Sequence, residues 1–293
     1  MTSGIIPDRP DQEPVPVAIA RVGFNPSAVD RTVRPPILKS RVIAVSNVKG
    51  GVGKTTTVVN LGAGLALLGR RVLVIDADAQ ANATFALLGS RQPAATMVDV
   101  MLSRRLKLVD AIEATHVPGV DMVASQIGLS AADLVLAAVA GRERLLARYL
   151  REVTGYDYIL IDTPPALSLM SVNSLVAARE VFVPVSTGMF ALMGIGLLET
   201  AIAELRENLD QETPIVTGAV ATLNDRTRAA DDTVRALAKH FGSQLFATVI
   251  PRYKDVQESQ GRAQSIFQYA PHGQAAIAFR NLVQEVTCGE KEG

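Results

Sequence analysis

Cysteine is nearly absent from the 293 residues, where only Cys288 carries a thiol, and tryptophan is missing altogether. A single thiol excludes an intrachain disulfide and any cysteine-rich metal or iron–sulfur centre, and it fits a reducing cytosol. Net charge is absent too: Lys plus Arg and Asp plus Glu both number 29. Any nucleic-acid binding must therefore come from a local basic patch and not from a global field. No apolar run approaches the roughly 18–20 residues needed to cross a membrane. The first residues, "MTSGIIPDRPDQEPVP", lack a basic start followed by an apolar stretch, so no signal peptide is expected. No internal repeat is present.

What the chain does have is aliphatic residues. The hydrophobic fraction is 48% against 4% aromatic, a balance that suits parallel strands covered by helices. Residues 1–40 stand apart. They hold many of the prolines ("IIPDRP", "EPVPV", "FNPS", "VRPPIL") with charges of both signs and no sustained period. This reads as a flexible Pro-rich tail, either a plain extension or an arm that touches a partner or DNA.

From Arg41 the pattern changes. "RVIAVS" is a short β-branched run, followed by a Gly-rich turn and a helical stretch that stops at Gly69. "RRVLVIDAD", "VDMVAS", "YDYILID", "EVFVPVS", "IVTGAVATL" and "LFATVIP" read as further strands. Helical stretches such as "GRERLLARYLREV" and "DDTVRALAKHF" lie between them. The alternation predicts an α/β fold over residues 41–293: a single domain with a mostly parallel twisted sheet and helices on both faces.

The turn after the first strand carries the chemistry. A strand, a Gly-rich turn and a helix together let backbone N–H groups converge on an anion at a helix N-terminus. Gly50, Gly51, Val52, Gly53, Lys54, Thr55 and Thr56 are the candidate cradle. Lys54 would reach the β- and γ-phosphates of a nucleotide, and the Thr55 hydroxyl would bind Mg²⁺. The common G-x-x-x-x-G-K-[ST] pattern is not met, because Val48 stands at its first glycine; the loop reads K-G-G-V-G-K-T from Lys49 to Thr55. It thus has two lysines.

"KGGVGKTT" resembles the deviant Walker A motif of the ParA/MinD family of P-loop ATPases. The resemblance implies a P-loop NTPase fold, ATP and Mg²⁺ as cofactors, and a role for the extra lysine. Lys49 would cross a homodimer interface to the nucleotide of the other subunit, acting much as an arginine finger does. Slow, partner-stimulated ATP hydrolysis is the activity implied.

Two acidic stretches extend the resemblance. "VLVIDADAQANAT" places Asp76 and Asp78 two residues apart at a strand's end, where both are expected on one face, towards the phosphate loop. The stretch is similar to the family's switch I, which implies that Asp78 positions the attacking water and Asp76 supports the Mg²⁺ shell. "YDYILIDTPPALS" is similar to the family's Walker B and switch II, which implies that Asp162 holds a Mg²⁺-bound water.

The closing third resembles ParA/Soj-type partition proteins. By that likeness Asn224 and Pro251 flank the adenine, and Arg226, Arg228, Arg252 and Arg262 contact DNA without sequence preference. Relatives often read "PRNVRLSEAPS" where this chain reads "PRYKDVQESQG". Asp255 replaces an expected arginine, Lys254 is a possible substitute, and the alanine–proline step is missing. The implied function is chromosome or plasmid partition, with the nucleoid as matrix, a cytoplasmic location, and a ParB-like partner that stimulates hydrolysis. A protein cargo, such as a microcompartment or chemoreceptor cluster, fits the same motifs. A MinD-type membrane regulator fits less well, because the last segment, "AIAFRNLVQEVTCGEKEG", carries no basic amphipathic helix.

Overall fold

The β-branched runs pair into one eight-stranded sheet in the computed structural model, which describes residues 40–288 apart from positions 104, 189 and 190. The tail expected over residues 1–40 lies outside the described residues except for Ser40. The strands are β1 (Arg41–Val45), β2 (Val72–Asp76), β3 (Ile112–Ala114), β4 (Val120–Val123), β5 (Tyr158–Asp162), β6 (Glu180–Ser186), β7 (Ile215–Asn224) and β8 (Leu245–Pro251). Their order is β3-β4-β2-β5-β1-β6-β7-β8. Every neighbouring pair is parallel except β3 and β4. The short β3 was not anticipated; three residues carry no legible alternation.

Helices cover both faces. They are α1 (Lys54–Leu67), α2 (Asn82–Leu88), α3 (Met97–Leu102), α4 (Leu129–Leu136), α5 (Leu145–Tyr149), α6 (Leu169–Ala177), α7 (Ala191–Leu209), α8 (Arg228–Phe241), α9 (Lys254–Gly261), α10 (Ile266–Tyr269) and α11 (Gln274–Cys288). Successive strand residues point to opposite faces. On β2, Val72 and Val74 join the core beneath α1 and α11, while Leu73 and Ile75 join the one beneath α3 and α4. Tyr158 and Leu160 against Ile159 and Ile161 repeat the division on β5. Burial on both sides is why the central strands read as unbroken apolar runs.

Two local features have specific causes. The stretch "GRERLLARYLREV" is not one helix. It divides into a 3₁₀ turn at Arg142–Arg144, then α5, then a second 3₁₀ turn at Leu150–Glu152. An α-helix would bond Leu146 N–H to the Arg142 carbonyl. The buried Asn173 side chain of α6 takes both groups instead: Leu146 N donates to Asn173 Oδ1 at 3.1 Å, and Asn173 Nδ2 donates to Arg142 O at 2.9 Å. At the sheet's edge, the Glu285 carboxylate accepts hydrogen bonds from the backbone N–H groups of Ala247 (2.6 Å) and Thr248 (2.8 Å). It thereby occupies donors of β8 that would otherwise template a further strand.

Gly64 lets α1 approach α10 and α11. A Cβ there would lie 2.5 Å from Val283 Cγ2 and 3.0 Å from Phe267 Cε2. Both neighbours are core residues, so Gly64→Val is expected to cost about 1–3 kcal/mol by overpacking. A urea midpoint equal to that of the wild type would show that α11 moves aside freely.

Candidate nucleotide site

The chain leaves β1 at Val45 and turns through Ser46–Gly53 before entering α1. Asn47, 2% exposed, anchors the turn. Its Nδ2 donates to the Pro184 carbonyl of β6 (2.9 Å), and its Oδ1 accepts from Lys49 N (3.0 Å). The Thr222 hydroxyl of β7 donates to the Val52 carbonyl at 2.7 Å. Gly51 and Gly53 have φ of 71° and 89°, a left-handed conformation that glycine adopts without a Cβ clash. The first hydrogen bond of α1 runs from Thr57 N to Gly53 O. The amides of Lys54, Thr55 and Thr56 are therefore the helix's orphan donors, at its positive end.

A cavity of about 670 Å³ opens over this turn. Gly50, Gly51, Gly53, Lys54, Thr55 and Thr56 form one wall, joined by Asp78. Pro251, Tyr253, Val256 and Gln260 form another. Val52 is buried at 1% exposure and does not line the cavity. Lys49 is half-buried beside α7; its carbonyl accepts from Lys54 Nζ at 3.2 Å. Among the described residues its own amine makes no ion pair. Burial lowers the pKa of Lys54, and the nearby Asp162 and Asp78 carboxylates oppose that fall.

The acids divide between structural and open positions. β2 ends at Asp76, so strand alternation does not carry Asp78 to the same face. A turn places it instead. Asp78 N donates to Asp76 Oδ1 (3.1 Å), and Gln80 N donates to Asp78 Oδ1 (3.0 Å). Asp78 reaches the cavity wall. Asp76 faces α2, where its Oδ2 accepts from both the amide and the hydroxyl of Thr84 at 2.8 Å. Burial raises its pKa to about 6 against these hydrogen bonds.

Asp162 is paired in register with Asp76 and with Val45 at the ends of adjacent strands. It is fully buried, and neither carboxylate oxygen makes a hydrogen bond of good geometry, although the Thr55 hydroxyl lies near. Burial, then the neighbouring Asp76 charge, hold its pKa well above the usual carboxylate range; the Thr55 hydroxyl, then Lys54, counter this only in part. A buried carboxylate so incompletely satisfied calls for a counterion. Hard oxygen donors from Asp162 and Thr55 fit Mg²⁺, which keeps several waters and takes few protein ligands. No group of three or more His, Cys, Asp or Glu side chains placed to hold a metal occurs among the described residues.

At the other end, Asn224 and Pro251 are register partners. Pro251 lines the cavity, whereas Asn224 does not; Leu223 does so in its place. The Asn224 Oδ1 accepts from Arg226 N at 2.6 Å, inside a turn where Arg226 has φ 58°. Five cations were expected to form a basic face. Arg226 and Arg228 are exposed and make no ion pair among the described residues. The others are engaged. Arg252 pairs with Asp225 at 2.7 Å, Lys254 pairs with Glu258 at 2.8 Å, and Arg262 lies over the Tyr269 ring at 5.5 Å. Sequence reasoning missed Asn47, Thr222 and Gln260. Each acts through a hydrogen bond to a residue far along the chain, which no spacing rule reveals.

Fold and loop together define a P-loop nucleotide-binding domain. A family model described as "AAA domain" matches residues 40–215. The chain is 36% identical over 247 residues to sporulation initiation inhibitor protein Soj of Bacillus subtilis, covering 84% of this chain and 98% of that one. It is 37% identical over 257 residues to chromosome partitioning protein ParA of Caulobacter vibrioides, covering 86% and 96%. A solved structure described as cobyrinic acid a,c-diamide synthase from Mycobacterium smegmatis, with bound ATP analog and magnesium, superposes with a TM-score of 0.72 at 32% identity. It covers 85% of this chain and 94% of that one. The chain belongs to the ParA/Soj type of the ParA/MinD family, the P-loop ATPases with a deviant Walker A motif.

Thr84 ties the site to the sheet, because its hydroxyl also accepts from Ser125 N at 2.8 Å. Thr84→Val strips one donor from buried Asp76 and leaves the Ser125 amide unpaired. A loss of about 1–3 kcal/mol is expected, read as a lower unfolding midpoint. Unaltered stability would mean that water replaces the hydroxyl.

Proposed function

We propose that this chain is a Mg²⁺-dependent ATP hydrolase of the partition kind. ATP builds a sandwich dimer, the dimer holds nucleoid DNA without sequence preference, and a ParB-like partner triggers hydrolysis and release. The observation that carries the reading is the meeting of Lys54, Thr55 and Asp78 in one cavity, with Lys49 beside it and unpaired among the described residues. The likeness to relatives named chromosome partitioning protein ParA and chromosome-partitioning ATPase Soj supports the cellular role.

The chemistry is positioning plus electrostatics. The orphan amides at the start of α1 receive the phosphates, and Lys54 sets its charge against the β- and γ-oxygens. Thr55 would hold Mg²⁺ and Asp162 a water bound to it, and the ion would supply positive charge beside the phosphates. Asp78 orients the attacking water. Each subunit's Lys49 reaches the nucleotide of the other, so dimerisation depends on the γ-phosphate. Pro251 packs on the base. The apolar face of α11 is not offered to a membrane, because Phe279, Leu282, Val283 and Val286 are buried in the core beside α1.

Random-sequence DNA, titrated with ATP, ADP or no nucleotide across a salt series, tests the role. Binding only with ATP is expected, with affinity falling steeply as salt rises. Replacing Arg226 and Arg228 by alanine together should flatten the log–log slope by about 2, near one unit per phosphate contact. Binding in no state would sink the DNA reading. Separately, Lys49→Ala is expected to bind ATP yet remain monomeric by light scattering. An ATP-dependent dimer in that variant would end the cross-subunit assignment.

A further inference from the structure

Gln260 sits on α9, 204 residues from Thr56, and its Nε2 donates to the Thr56 hydroxyl at 2.6 Å. Both residues line the cavity. Thr56 is the third residue of α1 and one of the orphan donors that face an incoming phosphate. A hydroxyl carries one proton and can accept as well as donate. Because the carboxamide fills an acceptor position of Thr56 Oγ1, the hydroxyl proton remains to be donated. Among the described residues no acceptor takes it.

The contact belongs to a small network. Asn60, one turn further along α1 and 2% exposed, donates from Nδ2 to the Thr56 carbonyl at 2.9 Å. Its Oδ1 accepts from Ile266 N at the start of α10 (2.7 Å). Thr56 is thus held at its hydroxyl by α9 and at its carbonyl by a residue anchored to α10. The sequence is specific here. Ser259–Gln260 stands where the ParA/Soj resemblance leads to an alanine–proline step, and a proline side chain has no donor to give.

We propose that Gln260 is a positioning residue for nucleotide binding: it fixes the Thr56 hydroxyl as a donor aimed at a phosphate of the nucleotide. The inference rests on the ATP-binding reading given above. A chain of hydrogen bonds from Gln260 through Thr56 to the phosphate polarises each member, so the outer bond strengthens the inner one. Gln260 touches Thr56 and acts on the phosphate only through it.

Calorimetric titration of MgATP into the full chain tests the proposal. Gln260→Met keeps the bulk and removes the donor; it is expected to weaken binding about fivefold, the worth of one net hydrogen bond. Gln260→Glu is expected to weaken it further, because a carboxylate takes the Thr56 proton for itself and adds negative charge. In a Thr56→Val background, Gln260→Met should cause no additional loss. A purely structural role would predict the same loss in both backgrounds, together with a lower unfolding midpoint in the absence of nucleotide. An unchanged Kd for Gln260→Met, or an equal loss in the Thr56→Val background, overturns the proposal. Lys54→Ala, expected to abolish binding, guards the premise. If the wild-type chain does not bind MgATP, the nucleotide reading fails and this inference with it; if it binds and Gln260→Met matches it, only this inference fails.

Discussion

A buried amine and buried carboxylates converge where β1, β2 and β5 end, and the surrounding structure is arranged around that concentration of charge. Desolvation costs several kcal/mol per ion. It lowers the Lys54 pKa and raises those of Asp76 and Asp162. The three carboxylates meet this cost in different ways. Asp76 is satisfied by Thr84 and by the Asp78 amide. Asp78 lies against the cavity, with one oxygen holding its own turn. Asp162 makes no hydrogen bond of good geometry and has only the nearby Thr55 hydroxyl and the Lys54 charge to offset its burial. The carboxylate that the protein leaves incomplete is the one proposed to face the metal.

The sheet makes this convergence possible. Parallel strands present their carboxyl ends on one edge, and the winding reverses at β1, so loops from both halves meet above it. The phosphate turn is then held by Asn47 to β6 and by Thr222 to β7, and the first turn of α1 that follows it by Gln260 from α9. Left-handed glycines open the turn towards solvent, while these side chains prevent it from drifting. An anion entering the cavity meets donors that are already placed, which lowers the ordering cost of binding.

The surface beyond Pro251 has a different character. Glu258 pairs with Lys254 and accepts from the Tyr269 hydroxyl, Asp225 pairs with Arg252, and Arg262 is stacked on Tyr269. The basic character of this face rests on Arg226 and Arg228, at the turn into α8. Exposed pairs of this kind contribute little to stability. They do reduce the local positive field, and that field governs how strongly a polyanion is attracted.

Local pattern alone determined the parallel α/β architecture, the phosphate turn and the three acids that follow strands. Apolar runs of strand length, glycines before a helix and carboxylates at strand ends are properties of contiguous residues, and contiguous residues are what a sequence displays. The tertiary structure decided how those residues are used. The Asp76–Asp78 spacing suggested a shared face, but β2 stops at Asp76 and the turn separates them. Asn224 stands beside Pro251 as expected, and the fold also uses its oxygen to close a turn with Arg226. "GRERLLARYLREV" had helical spacing, but Asn173 of a later helix takes the two groups of one of its backbone hydrogen bonds. The Gln260–Thr56 contact joins residues 204 positions apart. Two of these outcomes rest on a local turn that closes over two residues, and two on side chains that reach their partners only once distant segments are packed; in both kinds a hydrogen bond outweighs a propensity worth a fraction of a kcal/mol per residue. A side chain's role here was fixed by which donor or acceptor the fold brought within hydrogen-bonding distance of it.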